Sequence, residues 1–275
     1  MSQENNEKLS HEDKTPWSIK EDELDIPIWR YMDFSKYVDI LENSTLFFSS
    51  ISGFEDKLEG LNNAYADNLY YGLHNNENGK PAIFKTNKRP DNDQALKDSI
   101  GLKQFVKQHE ELWLKSIGIN CWRIDKVESH AMWKAYLKSN EGVAIKSNVR
   151  SIKKSITLNE FQVLRIGKVQ YIDYDSTIID ITKNPLSSIH YKSNYFNYEN
   201  ELRLIYYEKE TISNKLPNYK KSDGLGYMVS INIEMLITEV IVSPYAPRWF
   251  YSLVEKITKN YIPKVPVTLS GIQLR

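Results

Sequence analysis

Two carboxylates and a guanidinium stand close together in Tyr198-Glu199-Asn200-Glu201-Leu202-Arg203-Leu204-Ile205-Tyr206-Tyr207. Read as a strand of period two, Leu202, Leu204 and Tyr206 take one face; Glu199, Glu201, Arg203 and Ile205 take the other. A carboxylate pair at the mouth of a strand, partly out of water, is a common way to build a catalytic site. Burial and neighbouring charge there tune the protonation that the chemistry needs. The same pattern also describes a ladder of exposed ion pairs, each contributing about 0–1 kcal/mol.

Other chemistry-bearing residues are sparse. The five histidines (His11, His74, His109, His130, His190) are scattered, none three or four residues from another, so no metal is expected. His130, beside Met132 and Trp133, reads as a packed helix-face residue. The single Cys121 excludes an intramolecular disulfide and reads as a small buried hydrophobe. Gly224-Leu225-Gly226 lacks the third glycine and the Lys-Ser/Thr that phosphate-binding loops need, and no Gly-x-Ser-x-Gly elbow occurs. Trp122, Trp133 and Tyr136 are either core or a stacking wall for a planar ring such as nicotinamide or adenine. Lys146, Arg150, Lys153 and Lys154 form a local basic cluster, which reads as a solvated face.

The elements that must position these groups follow from periodicity. Pro27–Met32 reads as a strand, and Asp33 as the N-cap of a helix with Phe34, Tyr37, Val38 and Leu41 on one face. Strands are expected at Thr45–Ser50, Gly118–Trp122, Val143–Lys146, Val163–Ile172, Tyr198–Tyr207, Tyr227–Ile233, Val240–Ser243 and Val267–Leu269. Ser129 should cap a helix burying Met132, Trp133, Tyr136 and Leu137, and Pro247 should open one burying Trp249, Phe250, Leu253 and Ile257. A further helix is expected from about Asp93 to Ser116, after a polar insertion over 61–93. The fold class expected is α+β, one domain over 26–275, with a mixed, largely antiparallel sheet flanked by helices.

Charge is balanced at 36 acidic and 36 basic side chains, but unevenly placed. Residues 1–25 hold 8 acids against 3 bases, leaving a body with a surplus of five positive charges. That body suits a small anionic ligand and falls short of the basic stripe of a nucleic-acid binder. The acidic segment 1–25 has little apolar spacing and is expected to be disordered or loosely attached; if it docks, Trp17 is the anchor. No apolar run approaches the roughly 18–20 residues that span a bilayer, so a cytoplasmic location is expected.

Several segments together resemble the bacterial family catalogued as domain of unknown function 2971. They are Ile28-Trp29-Arg30-Tyr31, Leu46-Phe47-Phe48-Ser49-Ser50, Phe54-Glu55-Asp56-Lys57-Leu58-Glu59-Gly60, Cys121-Trp122-Arg123, His130-Ala131-Met132-Trp133, Glu141-Gly142-Val143-Ala144-Ile145, Tyr198-Glu199-Asn200-Glu201-Leu202-Arg203 and Thr238-Glu239-Val240-Ile241-Val242. The family usually has an Asn-Asp-Pro-Phe type run where this chain has Glu55-Asp56-Lys57-Leu58.

A second resemblance bears on function. Arg30, then Ser49 with Ser50 on a strand, then Glu199 and Glu201 as Glu-x-Glu, is similar to the residue order of ADP-ribosyltransferases. Phe48-Ser49-Ser50 departs from that family's Ser-Thr-Ser signature. The resemblance implies an ADP-ribosyltransferase-like fold and NAD as substrate, with an unidentified protein or nucleic-acid acceptor. Arg30 would hold the pyrophosphate, Ser49 the nicotinamide-side ribose, and Glu201 the developing oxocarbenium ion, while Glu199 would orient the acceptor. Tyr195-Phe196 is placed to touch that acceptor. By analogy the setting is bacterial phage defence, as a NAD-using transferase or glycohydrolase. The alternative is a non-catalytic interaction or sensor module of such a system.

Overall fold

The expected alternation of strands and helices is realised in an α+β fold built on one large sheet. The computed structural model describes residues 15, 17–51, 54, 116–173, 177, 185–209 and 226–273. The expected insertion at 61–93, the helix over 93–115 and the Glu55–Gly60 run lie outside them. The elements are β1 (Pro27–Asp33), α1 (Phe34–Asn43), β2 (Thr45–Ser50), β3 (Gly118–Ile124), α2 (His130–Tyr136), β4 (Gly142–Asn148) and α3 (Val149–Ser155). They continue with β5 (Gln162–Lys168), β6 (Gln170–Ile172), β7 (Tyr191–Ser193), β8 (Glu201–Glu208), β9 (Gly226–Ser230), α4 (Ile233–Leu236), β10 (Glu239–Val242), α5 (Arg248–Tyr261) and β11 (Val267–Leu269).

Nine strands form a mixed sheet in the order β11-β10-β4-β1-β3-β2-β9, with β8 pairing β3 and β5 off this path. Every pairing in it is antiparallel except β10 with β11. Strands β6 and β7 make a separate parallel pair.

The alternation in β8 decides where the core sits. Leu202, Leu204 and Tyr206 enter the main core with Trp122, Ile145, Val240 and Phe250. Ile205 packs on the opposite face with Ile51, Ile117, Ile119, Ile189 and Tyr207. Helix α1 buries Tyr37, Ile40 and Leu41 and stops at Ser44, which is left-handed at φ 48°. It packs on α5, where Phe34 meets Phe250 edge-on and the Tyr37 hydroxyl lies 2.8 Å from Thr258 Oγ1.

Three expectations change in physical detail. Asp33 stands at the N-cap position of α1 as expected, but its side chain does not bond the helix; its carboxylate instead accepts from the Lys138 amide at 2.9 Å, holding the turn before β4. The strand expected over Val163–Ile172 is broken at Val169, whose amide makes a last bond to β8 at the Glu201 carbonyl before β6 turns to pair with β7. Residues 17–25, placed in the loose tail by their composition, pack on the body: Leu24 is buried in the main core, and Arg150 pairs with Asp25 and Glu21. One buried leucine and two basic partners, Arg150 and the Lys168 that pairs with Glu23, outweigh a composition that is acidic on average.

Candidate functional site

Strand β3 is where the sheet forks. One edge is taken along its length by β8, from Gly118 opposite Tyr206 to Arg123 opposite Glu201. The other edge is divided. Strand β2 pairs at one end (Ser49 with Ile119, Ser50 with Gly118), and β1 at the other (Ile28 with Ile124, Trp29 with Arg123). Between these pairings no strand among the described residues runs along β3, and side chains take up its backbone and that of β2. Arg30 Nη1 donates to the Cys121 carbonyl at 3.2 Å, and Asn120 Nδ2 donates to the Phe47 carbonyl at 2.8 Å. Trp122 Nε1 in turn donates to Asn120 Oδ1 at 2.7 Å. This accounting is what buried backbone demands.

On the β8 side of the fork lies a buried charge cluster. Glu201 is 4 % exposed and Arg203, two residues on, 1 %. Arg203 grips the carboxylate with both arms of its fork, Nε to Oε1 at 2.9 Å and Nη2 to Oε2 at 3.0 Å, and sends Nη1 to the Ile189 carbonyl. Lys192 Nζ lies 2.7 Å from Glu199 Oε2 and 3.5 Å from Glu201 Oε2, and sits over the Phe196 ring at 4.8 Å. The Glu201 amide donates to the Tyr171 hydroxyl at 2.9 Å. The Phe54 ring lies 5.8 Å from the Arg203 guanidinium carbon.

The electrostatics follow from these contacts. Burial alone would raise the Glu201 pKa, but Arg203 and then Lys192 hold it well below the usual carboxylate range. Glu201 is therefore ionised and unsuited to proton transfer near neutrality. Burial, then the Glu201 charge, pushes the Cys121 thiol well up, and that thiol hydrogen-bonds Glu201. The Tyr136 hydroxyl is raised by burial and by Glu199, Cys121, Glu201 and Tyr198. Arg30 has its pKa lowered by burial. It stays a cation nonetheless, as a guanidinium does in proteins.

Arg30, Glu199, Glu201 and Tyr136 thus share one neighbourhood, linked through Cys121. Ser49 stands on the other arm of the fork, opposite Ile119, with its hydroxyl turned to the Ser50 carbonyl at 3.3 Å; Ser50 is buried. Trp133 lies elsewhere. It is fully buried with Trp29, Tyr31, Met132, Ala144 and Ile241, edge-on to Tyr31, and its indole N–H donates to Glu128 at 2.8 Å. That packing leaves no face for a ligand ring. Tyr136, at 39 % exposed, keeps one.

Glu199 and Glu201 do not share a strand face as their spacing implied. Glu199 ends a 3₁₀ turn over Asn194–Glu199, and β8 begins only at Glu201. Between them Asn200 is left-handed at φ 42°, a conformation Asn tolerates better than most residues, and its carbonyl accepts from the Ile124 amide at 2.8 Å. Lys192 brings the two carboxylates together instead. Its one sequence signal is a lone lysine seven residues before Glu199 inside an aromatic run. Of the expected basic cluster, Lys146 pairs with Glu239 at 3.0 Å and Arg150 with Asp25 at 2.9 Å, so half of it is spent on structure. Among the described residues no group of three or more His, Cys, Asp or Glu is placed to hold a metal ion, and no helix is long and apolar enough to cross a membrane.

Fold and site together define an α+β protein whose forked antiparallel sheet brackets a buried Arg-Lys-Glu cluster. Residues 132–204 match the model of the family described as protein of unknown function (DUF2971). The match runs from α2 into β8 and takes in Trp133, Tyr136, Lys192, Glu199, Glu201 and Arg203. The resembling segments around Arg30, Ser49, Cys121 and Val240 lie outside it. No curated protein matches the chain. The family description carries no activity, so the ADP-ribosyltransferase likeness rests on residue order alone.

Proposed function

We propose that this chain binds a phosphate-bearing nucleotide, with NAD the first ligand to test, and that Arg30 holds its pyrophosphate. The observation that carries the reading is the state of Arg30. Arg30 is half-buried as a residue, and its guanidinium makes one hydrogen bond to a backbone carbonyl and has no carboxylate partner among the described residues. Glu199 and Glu201 are already engaged by Lys192 and Arg203, leaving the cluster one positive charge in surplus. A guanidinium has five donors in a planar fork suited to phosphate oxygens, so most of Arg30 is unspent. The partly exposed Tyr136 ring supplies a surface for a base.

A second reading, NAD cleavage by an ADP-ribosyltransferase or glycohydrolase, draws on one observation: Glu201 is held ionised with Cys121 between it and Arg30. Its charge would face the oxocarbenium ion, with Ser49 on the ribose and Glu199 at the acceptor. Arg203 and Lys192 cancel much of that charge, which favours binding without turnover, as in a sensor module. Thermal melts with NAD separate the outcomes. Ligand at 100 times its Kd stabilises by about 2.7 kcal/mol, a shift that Arg30→Gln, binding roughly 10–150-fold more weakly, should cut to about 0.3–1.4 kcal/mol. Nicotinamide release lost in Glu201→Gln would establish cleavage; stabilisation without release would establish a binding module. No stabilisation at millimolar NAD would overturn both.

A further inference from the structure

Residues 17–25 lie across the end of β5. The Lys168 amide donates to the Trp17 carbonyl at 2.9 Å, and its side chain pairs with Glu23. The Arg150 amide donates to the carbonyl of the buried Leu24 at 3.1 Å. At the segment's start the Trp17 indole stacks on the His190 imidazole, centroids 4.8 Å apart and 4° from coplanar, with Tyr191 against its edge. Gly167 makes the notch: a Cβ there would stand 2.5 Å from His190 Cε1 and 3.1 Å from Trp17 Cδ1. His190 is 2 % exposed, and its Nδ1 has no hydrogen-bond partner among the described residues.

That seat suits a neutral ring only. A proton on Nδ1 would create a cation with no acceptor, beside Arg203 from β8 and Arg165 from β5. The opposing groups are the Lys168 backbone and Glu201, whose carboxylate is already bound by Arg203. Lys192 and Tyr191, which follow in the chain, supply no negative charge at neutral pH. The indole face attracts a cation, but more weakly than two guanidiniums and a missing acceptor repel it.

We propose that residues 17–25 form a strap that stays docked while His190 is neutral and lifts away when Nδ1 takes a proton from solvent. The turn that ends at His190 also holds Arg203, through the Ile189 carbonyl. Release of the strap therefore loosens one contact of the charge cluster, whatever binds there.

Deuterium exchange on the full chain tests this, read at the Lys168 amide that donates to Trp17 and corrected for intrinsic rate. With His190 titrating at its ordinary pKa near 6.5 once the strap is off, protection should fall about 30-fold from pH 7.5 to pH 5. In His190→Gln it should be flat over that range, and in Trp17→Ala it should be low throughout. Flat protection in the wild type, or an equal fall in His190→Gln, would overturn the proposal. An NMR titration of the wild-type imidazole needs no variant: it should stay neutral while the strap is protected. Titration near 6.5 with the strap still docked would also overturn it.

Discussion

Replacing Glu201 by Gln keeps the side chain's shape and removes its charge. Arg203 would then be a cation at 1 % exposure whose two bonds to Glu201, at 2.9 and 3.0 Å, lose their counter-charge. Lys192 keeps Glu199 at 2.7 Å and loses only its longer contact to Glu201 at 3.5 Å, so the loss falls mainly on Arg203. Removing one partner of a buried pair costs about 3–5 kcal/mol, because the other charge stays buried without compensation. At about 2–4 °C per kcal/mol for a chain approaching this size, the Tm should drop by roughly 6–20 °C. Urea denaturation curves, followed by near-ultraviolet circular dichroism, would give the free energy directly. The double variant Glu201→Leu/Arg203→Met should recover most of the loss, since both charges leave together. A Glu201→Gln protein within about 1 kcal/mol of wild type would refute the reasoning, for that is how an exposed pair behaves.

Further outcomes follow from the packing. Leu24→Ala should cost about 2–5 kcal/mol, as for any buried leucine; a cost near zero would mean the strap contributes no core. Gly167→Ala should cost about 1–3 kcal/mol, because its Cβ needs space that His190 and Trp17 occupy, and an unchanged denaturation midpoint would contradict that geometry. Acid should destabilise the protein in two stages. His190 is pushed down to about 3 when folded, chiefly by burial, so its contribution is full above its unfolded value near 6.5 and lost as pH falls, about 2 kcal/mol by pH 5. Glu201, held below the ordinary carboxylate range, adds its loss only below roughly pH 4.3, where the unfolded chain protonates first. A stability profile flat from pH 7 to 5 in the wild type would contradict the first stage.

The sheet was legible because alternation shows in sequence. Leu202, Leu204 and Tyr206 face the main core as their spacing predicts, and β1, β2, β3 and β11 fall close to their expected spans. What stayed hidden depends on long-range or single-residue geometry. The left-handed turn at Asn200 moves Glu199 off the strand, and nothing periodic announces it. Lys192 meets the carboxylates through a turn that no pattern encodes. Trp133 and Tyr136, three residues apart on one helix, part company: one is sealed against Tyr31 and the other left partly exposed. Composition hides the docking of segment 17–25, because it averages over Trp17 and Leu24, the two residues that dock it.

The central claim, that Arg30 is an anion-binding guanidinium, is tested most directly by calorimetric titration of NAD into wild type and Arg30→Gln, with ADP-ribose and pyrophosphate as competitors. Charge-assisted hydrogen bonds contribute about 1.5–3 kcal/mol, so the variant should bind on the order of 10–150-fold more weakly. Both competitors should displace NAD from the wild type, while Arg30→Lys, a point charge in place of a fork, should fall between the two proteins. Equal affinity in wild type and Arg30→Gln, or NAD binding untouched by pyrophosphate, would contradict the account.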